Sequence, residues 1–253
     1  MSARLLNSVT LAAVTSIALA ATARAMALSQ RHLHYGEVLF LSDRPPPIGT
    51  LATWRQIPPI QSRNDYSRFM LRDLAAHLCT EHVLCVQWDG YVIDPEAWDP
   101  AFLDYDYIGA PWPHFADDKR VGNGGFSLRS RRLVEACTTL PITDEAEDVS
   151  ICRTHRSLLE KRFGLRFAPE DVACRFAYER IAPAGRQFGF HGAFNLIDQM
   201  LWRDCASLFA ALEPNLLNRR EHKEILYRAL LRGDARLAWT IWRRMRAPDA
   251  RWR

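Results

Sequence analysis

The sequence predicts an α/β fold: a mostly parallel sheet flanked by helices, with a helical C-terminal appendage. Short apolar runs alternate along the chain with longer segments of helical periodicity, which is typical of strands joined by helical crossovers. The 253 residues are 48% hydrophobic and 25% charged, as expected for one large domain with an appendage. We expect a main domain over residues 1–196 and a basic, helical extension over residues 197–253.

The first element allows two interpretations, because residues Leu5 to Thr22 carry no charged side chain. A signal peptide or a short membrane anchor is one of them, since the sequence that follows resembles a cleavage site. The other is a strand over about 8–15 and a helix over about 17–34, because the pattern changes from β-like to helical near Thr15 and Ser16. We favour strand and helix, and with them a cytoplasmic protein. Membrane association through the apolar N-terminus is the alternative.

A second apolar run, over about 37–42, completes a β–α–β unit, which implies parallel strands and a right-handed crossover. Ligands of such sheets bind beyond the carboxyl ends of the strands. Thr15, Ser16 and Asp43 stand at these ends. We therefore expect them to face a ligand.

The next strand, His82 to Gln87, stops at Asp89 beside Gly90. A carboxylate at a strand end can ligate Mg²⁺ or Mn²⁺, which prefer oxygen ligands and keep other positions for water or phosphate. A simple Asp-Gly turn is the alternative.

A helix is predicted ahead of this strand, over residues 64–80, with Asn64 or Asp65 as its cap. Arg68 and Arg72 lie four residues apart on it and share one face. That face meets either phosphate groups or solvent.

Three further segments carry candidate chemistry. The segment "VGNGGFSLRS" lacks the spacing of either phosphate loop, but its glycines fit a loop that approaches a ligand as well as an ordinary loop. A helix predicted over residues 145–164 opens with acidic residues, among them Glu147 and Asp148, which suit the helix dipole or supply a general base. His191 lies among aromatic residues and glycines, as a packed ring or as a ligand of metal or phosphate.

The remaining strands are predicted over residues 102–112 and within residues 165–180, the latter followed by a polar stretch. The six cysteines are scattered without zinc spacing, and no Ser–His–Asp, HExxH or nucleic-acid motif is present. From Arg219 onward, eleven Arg and Lys residues stand against four Asp and Glu residues. This basic end is either a solvated helix face or a peripheral contact with an anionic membrane or acidic partner, and we expect no nucleic-acid partner.

Taken in order, these segments resemble the GT-A glycosyltransferases. They resemble more closely a bacterial and fungal family of domains of unknown function that is assigned to that superfamily. The resemblance covers about Val9 to Asn195, and "YDYIGAPW" with "VGNGGFSLRS" is its most specific part. It implies a GT-A-like, Rossmann-like sheet.

The resemblance also implies a metal site. In GT-A enzymes a DxD motif at a strand end binds Mn²⁺ or Mg²⁺ together with the diphosphate of the donor. Here Gln87, Trp88 and Asp89 occupy the motif, so an amide replaces the first carboxylate. The implied metal site is Asp89 with His191, and with Gln87 at the altered position.

The same resemblance assigns the remaining site. It implies that Asn123, Gly124 and Gly125 shape the site of donor sugar and acceptor, and that Thr15, Ser16 and Asp43 hold the nucleotide. Arg68 and Arg72 are our candidates for phosphate contacts. The acidic pair Glu147 and Asp148 matches the motif that supplies the base, with Asp148 as base. The implied reaction transfers a sugar from a nucleotide-sugar, a UDP-sugar, to a carbohydrate or other hydroxyl acceptor with inversion; the alternative is a catalytically silent nucleotide- or glycan-binding domain.

Overall fold

The computed structural model describes residues 3–213 and 216–246. A six-stranded sheet lies at its centre, with the strand order β3-β2-β1-β4-β6-β5. The bounds of these strands are β1 Arg4–Val14, β2 Leu33–Ser42, β3 Thr53–Gln56, β4 His82–Val86, β5 Tyr107–Gly109 and β6 Phe126–Ser130. Two short strands, β7 (Ala177–Tyr178) and β8 (Gly189–Phe190), form a separate parallel pair.

Most of the central sheet is parallel. β1 pairs in parallel with β2 on one side and with β4 on the other, and β2 pairs in parallel with β3. β6 runs antiparallel between β4 and β5, so the sheet is mixed. The predicted α/β class, with a mostly parallel sheet flanked by helices, is confirmed.

The interior strands are apolar because helices cover both faces of the sheet. All five residues of β4 are buried, as are the last six of β1. Buried strands of a parallel sheet read as continuous apolar runs, since neither face meets water. The segment at residues 5–22, which also resembled a signal peptide, forms β1 and the first helix.

Ten helices of various lengths accompany the strands in the described residues. Their bounds are α1 Leu19–Ser29, α2 Arg63–Arg72, α3 Arg131–Cys137, α4 Glu147–Val149, α5 Arg156–Phe163, α6 Glu170–Phe176, α7 Leu196–Gln199, α8 Trp202–Ala211, α9 Arg219–Leu231 and α10 Ala235–Met245. None of the helices in the described residues has both the length and the apolar composition needed to cross a membrane.

Two predicted helices are shorter than expected. The helix predicted over about 17–34 ends at Ser29, and β2 begins at Leu33, where pairing with Arg4 extends the sheet. The helix predicted over 64–80 ends at Arg72 and is followed by a 3₁₀ turn. Its cap is Ser62, whose hydroxyl accepts a hydrogen bond from the Asp65 N–H.

The strand predicted over residues 102–112 is mostly irregular. Its first part is a 3₁₀ turn, Pro100–Asp104, and Asp99 caps this turn by accepting a hydrogen bond from the Ala101 N–H. A proline at the first position and an aspartate before it favour such a turn. Only Tyr107–Gly109 extends the sheet.

Of the strand predicted within residues 165–180, only the two-residue β7 forms, and α6 precedes it. Pro169 precedes this helix, and Glu170 and Asp171 occupy its first turn. Acidic residues there are stabilised by the positive end of the helix dipole. The predicted polar stretch therefore begins as a helix, and β7 follows it.

The long helix predicted over residues 145–164 is interrupted. A π-helical turn, Ser150–Thr154, lies between α4 and α5, with the His155 N–H donating to the Ser150 carbonyl five residues back. The predicted glycine end is confirmed, because Gly164 closes α5 with a φ of 64°.

The C-terminal helices share a core with the sheet domain. Phe209, Ile225 and Ile241 are buried in the same apolar cluster as Tyr91 and Phe190. Apolar contacts therefore cross the predicted boundary at residue 196, and the division into two domains stays a prediction.

Candidate functional site

A cleft of about 400 Å³ opens where β1 and β4 end. Thr15 and Ser16 line it from the end of β1, and Gln87 lines it from the end of β4. Arg63 and Tyr66 of α2 form another wall. A cleft beyond the carboxyl ends of parallel strands is the usual ligand site of such sheets. The structure thus places Thr15 and Ser16 where the sequence predicted a ligand.

The hydroxyls of the β1 turn also shape the cleft itself. The Thr15 hydroxyl donates to the Ile17 carbonyl at 2.5 Å, and the Ser16 hydroxyl accepts from the Ile60 N–H at 2.8 Å. Asp43 lies at the end of β2, where one carboxylate oxygen contacts Arg44 at 3.1 Å. Its other oxygen is buried and has no hydrogen-bond partner among the described residues.

The segment "QWDG" is a tight reversal of the chain at the end of β4. The Gln87 N–H donates to the Gly90 carbonyl at 3.3 Å, and the Gly90 N–H donates to the Gln87 carbonyl at 3.1 Å. The turn therefore places Trp88 and Asp89 at its tip. The Gln87 amide donates to the Tyr66 hydroxyl at 3.1 Å, which holds Gln87 against α2.

Asp89 is buried, with 6% of its surface exposed, although it lies in a turn. Its Oδ1 has no hydrogen-bond partner in the described part of the chain. The nearest cation-forming group is His191, whose Nε2 lies 3.5 Å from Oδ1, beyond normal hydrogen-bond length. On the other side of the ring, Nδ1 lies 3.6 Å from the Glu179 carboxylate. The imidazole is thus held between two carboxylates.

The charge of His191 depends on the carboxylates of Asp89 and Glu179 on either side of its ring. Burial disfavours the charged imidazole, but the carboxylates of Asp89 and Glu179 outweigh it and raise the pKa of His191 well above its usual value. Burial likewise opposes ionisation of Glu179, yet His191, Arg180 and the Asn123 amide lower its pKa. Without a bound cation, these shifts favour a positive charge between Asp89 and Glu179.

The glycine-rich loop packs directly on His191. A Cβ at Gly125 would lie 2.0 Å from the Nε2 atom of His191, so only glycine fits there. Asn123 adopts a left-handed backbone with a φ of 68°, and its side chain accepts a hydrogen bond from the Gly125 N–H at 3.1 Å. The loop and the histidine are therefore one packed unit.

The same loop positions the acidic pair. The Gly124 N–H donates to Oδ2 of Asp148 at 3.0 Å, and Asp148 is half-buried. The Asp148 carboxylate is therefore fixed one residue along the loop from the glycine that packs on His191.

Glu147 occupies a different environment from Asp148. Its carboxylate accepts from Arg129 at 2.8 Å, and both side chains are buried. Burial raises the pKa of Glu147, Asp148 adds to this shift, and Arg129 opposes it. A Cβ at Gly124 would lie 2.2 Å from Oε1 of Glu147, so this loop also leaves room for the ion pair.

The two predicted phosphate arginines lie away from the cleft lining. Arg68 is exposed on α2. Arg72 donates to the backbone carbonyls of Cys137, Thr138 and Leu140 at the end of α3. Arg63, one turn before the predicted pair, is the arginine of α2 that lines the cleft.

Much of the basic C-terminal region makes internal contacts. Arg228 and Arg232 contact Asp198, and Arg244 donates to the Phe209 carbonyl at 2.9 Å. Ile241 is buried, whereas Trp239 is 57% exposed. Residues 247–253 of the basic region lie outside the described residues.

Asp89 and His191 fit part of a metal site. An unpartnered carboxylate oxygen and an imidazole nitrogen are both suitable ligands for Mn²⁺. Within residues 3–213 and 216–246, no group of three or more His, Cys, Asp or Glu side chains is arranged to hold a metal. A cation at this turn would need the remaining ligands from water or a bound diphosphate.

Four residues of this region were missed from the sequence: Tyr66, Arg63, Arg129 and Glu179. Arg129 had a signal, since an arginine inside a short apolar strand requires an acidic partner when it is buried. Glu179 had none, because only the pairing of β7 with β8 brings it beside His191.

No curated protein matches the sequence. A solved structure, that of a glycosyltransferase involved in the glycosylation of the major capsid of PBCV-1, is similar over 72% of this chain and 91% of that chain, at 13% sequence identity and a TM-score of 0.44. The model of a family described as "Protein of unknown function (DUF5672)" matches residues 53–191, more than half of the chain. The chain therefore belongs to the DUF5672 family.

Proposed function

We propose that this protein is a glycosyltransferase that transfers a sugar from a nucleotide-sugar, a UDP-sugar, to an acceptor hydroxyl. The observation that carries the proposal is Asp89, a buried carboxylate at the tip of a turn, whose Oδ1 has no hydrogen-bond partner among the described residues and faces the His191 ring at 3.5 Å. A buried charged oxygen without a partner is costly, so it is retained where a ligand supplies the missing contact.

The cleft beside Asp89 suits the nucleotide part of such a donor. Its volume of about 400 Å³ lies within the usual range of small-molecule sites. Trp88 and Tyr66 offer ring surfaces to a base, and Arg63 offers a guanidinium to a phosphate. Thr15 and Ser16 supply polar groups at the end of β1.

Asp148 is the candidate base. The Gly124 N–H donates to Oδ2 at 3.0 Å and the Val149 N–H donates to Oδ1 at 2.8 Å, which orients the carboxylate without neutralising it. In the proposed step, Asp148 accepts the proton of the acceptor hydroxyl while the oxygen of that hydroxyl attacks the anomeric carbon. The bond from that carbon to the nucleoside diphosphate breaks, and the configuration inverts.

Asp89 and His191 would hold a divalent cation in this proposal. A bound Mn²⁺ or Mg²⁺ would offset the negative charge that develops on the leaving diphosphate. Glu179 would orient His191 through Nδ1, as a carboxylate commonly does behind a metal-bound histidine.

The test is a panel of sugar nucleotides assayed for binding and turnover, with and without Mn²⁺. We expect turnover of at least one UDP-sugar by the wild-type protein. Asp148→Asn should lower the rate by about 100-fold or more while donor binding is retained. Loss of donor binding in this variant would contradict its role as base and indicate a structural one.

A silent nucleotide- or glycan-binding domain is the second candidate, and Gln87 is the observation that favours it. An amide stands where the resemblance implies a carboxylate, and it bonds to Tyr66. Tight binding of UDP with no hydrolysis or transfer by any donor of the panel would establish this second function instead.

A further inference from the structure

A second pocket, which we call the α1 pocket, lies between α1, the segment 91–95 and the connection from α7 to α8. Its volume is about 570 Å³. Among the described residues, its lining and that of the strand-end cleft have no residue in common. It therefore needs an explanation of its own.

One wall of the α1 pocket is positively charged. Arg24 and Arg31 of α1 and the following loop line it, together with His32. Neither arginine forms an ion pair with any residue that the structure describes. Asp204 also lines the pocket, but it is exposed and lies 3.9 Å from Arg203. The positive charge of this wall is thus largely uncompensated.

Two buried polar atoms of this wall lack partners beyond each other's side chain. The Tyr91 side chain is 3% exposed, and beyond the contact between these two side chains neither its hydroxyl nor Nη1 of Arg24 has a hydrogen-bond partner within the described residues. The Arg24 guanidinium lies 5.6 Å from the centre of the Tyr91 ring, so both groups belong to one place. A buried donor without a partner is costly, which makes a bound partner a physical reason to keep both groups.

The unmet groups are hydrogen-bond donors, and the charge beside them is positive. An anion with several acceptor oxygens would accept these hydrogen bonds and compensate the positive charge, because guanidinium groups bind phosphate through paired N–H donors. The opposite wall is apolar, with Leu28, Ile93 and Met200. This wall suits the organic part of a ligand rather than a bare ion.

We propose that the α1 pocket binds a small organic phosphate monoester. Its phosphate contacts Arg24, Arg31 and the Tyr91 hydroxyl, and its organic part packs on the apolar wall. This site is separate from the proposed donor cleft, so it stands whether or not the protein transfers sugars.

The experiment is calorimetric titration of the full-length protein with phenyl phosphate. We expect saturable binding to the wild type, and an affinity about tenfold or more lower in Arg24→Gln. Arg162→Gln is the matched control, since Arg162 is exposed on α5 and lines neither pocket; it should bind phenyl phosphate as the wild type does. Weaker binding in Arg63→Gln with normal binding in Arg24→Gln would place the ligand in the strand-end cleft and overturn the proposal.

Tyr91→Phe is a second variant, chosen because we expect it to fold as the wild type does. It removes a buried hydroxyl whose polar contact in the described structure is with Arg24, so the melting temperature without ligand should change by only a few degrees. The affinity for phenyl phosphate should fall severalfold. An unchanged affinity would overturn the assigned contact.

Benzoate and inorganic phosphate define the ligand class. Both should bind more weakly than phenyl phosphate, because one lacks the dianion and the other lacks the apolar part. Equal affinity for benzoate would overturn the phosphate assignment, and equal affinity for inorganic phosphate would overturn the role of the apolar wall.

Discussion

Two buried carboxylates near the carboxyl edge of the sheet have opposite surroundings. Glu147 meets the Arg129 guanidinium at 2.8 Å, and both side chains are almost fully buried. Asp89 is buried to a similar degree, but its Oδ1 has no hydrogen-bond partner in the described residues, and His191 lies 3.5 Å away. Glu147 therefore has the closer and better satisfied charge partner of the two.

The comparison indicates that the hydrogen bonds and ion pairs of a carboxylate, rather than its burial, distinguish a structural acid from a functional one. A satisfied buried pair costs much when one partner is removed, since the other is left charged without compensation. Asp89 faces the His191 imidazole across 3.5 Å, so we expect its removal to cost less than the removal of Arg129. Four substitutions test this distinction.

The largest effect is expected from Arg129→Met. It leaves Glu147 buried without its partner, and we expect a loss of about 3–5 kcal/mol in the free energy of unfolding. Urea denaturation measures it. Arg131→Gln is the control, because its pair with Glu135 is about half exposed, and it should cost less than about 1 kcal/mol. A small effect of Arg129→Met would place Glu147 among the acids free to react.

Gly125→Ala should have the next largest effect. The added methyl would lie 2.0 Å from Nε2 of His191, so the ring must move, at a cost of about 1–3 kcal/mol. Sugar-nucleotide turnover should fall as it does in His191→Ala. Gly164→Ala is the matched control, since open space surrounds its left-handed backbone and only strain is added. If both variants lose activity equally, the loop does not act through His191.

Asp89→Asn should lower activity far more than stability. We expect a smaller loss in the free energy of unfolding than in Arg129→Met, because only the interaction with the His191 imidazolium is lost, and a fall of about 100-fold or more in turnover with Mn²⁺. Parallel urea denaturation and sugar-nucleotide assays measure both. A stability loss as large as that of Arg129→Met would mean that Asp89 is a structural acid.

Gln87→Asp should have the smallest effect on stability and sharpen the metal assignment. It exchanges one hydrogen bond to Tyr66 for another, so the free energy of unfolding should change by less than about 1 kcal/mol. The added carboxylate should raise the affinity for Mn²⁺ by about tenfold, which titration of the free ion measures. Unchanged affinity would indicate that residue 87 points away from the cation.

The sequence predicted the class of the fold and most of its elements, because burial leaves a local pattern. The change of periodicity at Thr15 and Ser16 predicted β1 and α1 against the resemblance to a signal peptide. The helix α6 was not predicted, since its apolar residues alone fit a strand equally well.

The members of the candidate site were predictable only in part. Asp89, His191 and Gly125 were named from strand ends and glycines, and the structure brings these three together. Arg72 was also named, yet it binds the end of α3, because helical spacing shows which residues share a face but not what that face meets.

The sequence by itself determined the alternation of strands and helices and the place where β4 stops, since both follow from hydrophobic periodicity along the chain. Only the tertiary structure decided which acids are neutralised. Glu147 meets the Arg129 guanidinium of β6 at 2.8 Å, whereas Asp89 meets the His191 imidazole only at 3.5 Å. Side-chain pairing between distant segments depends on packing, which no local pattern records.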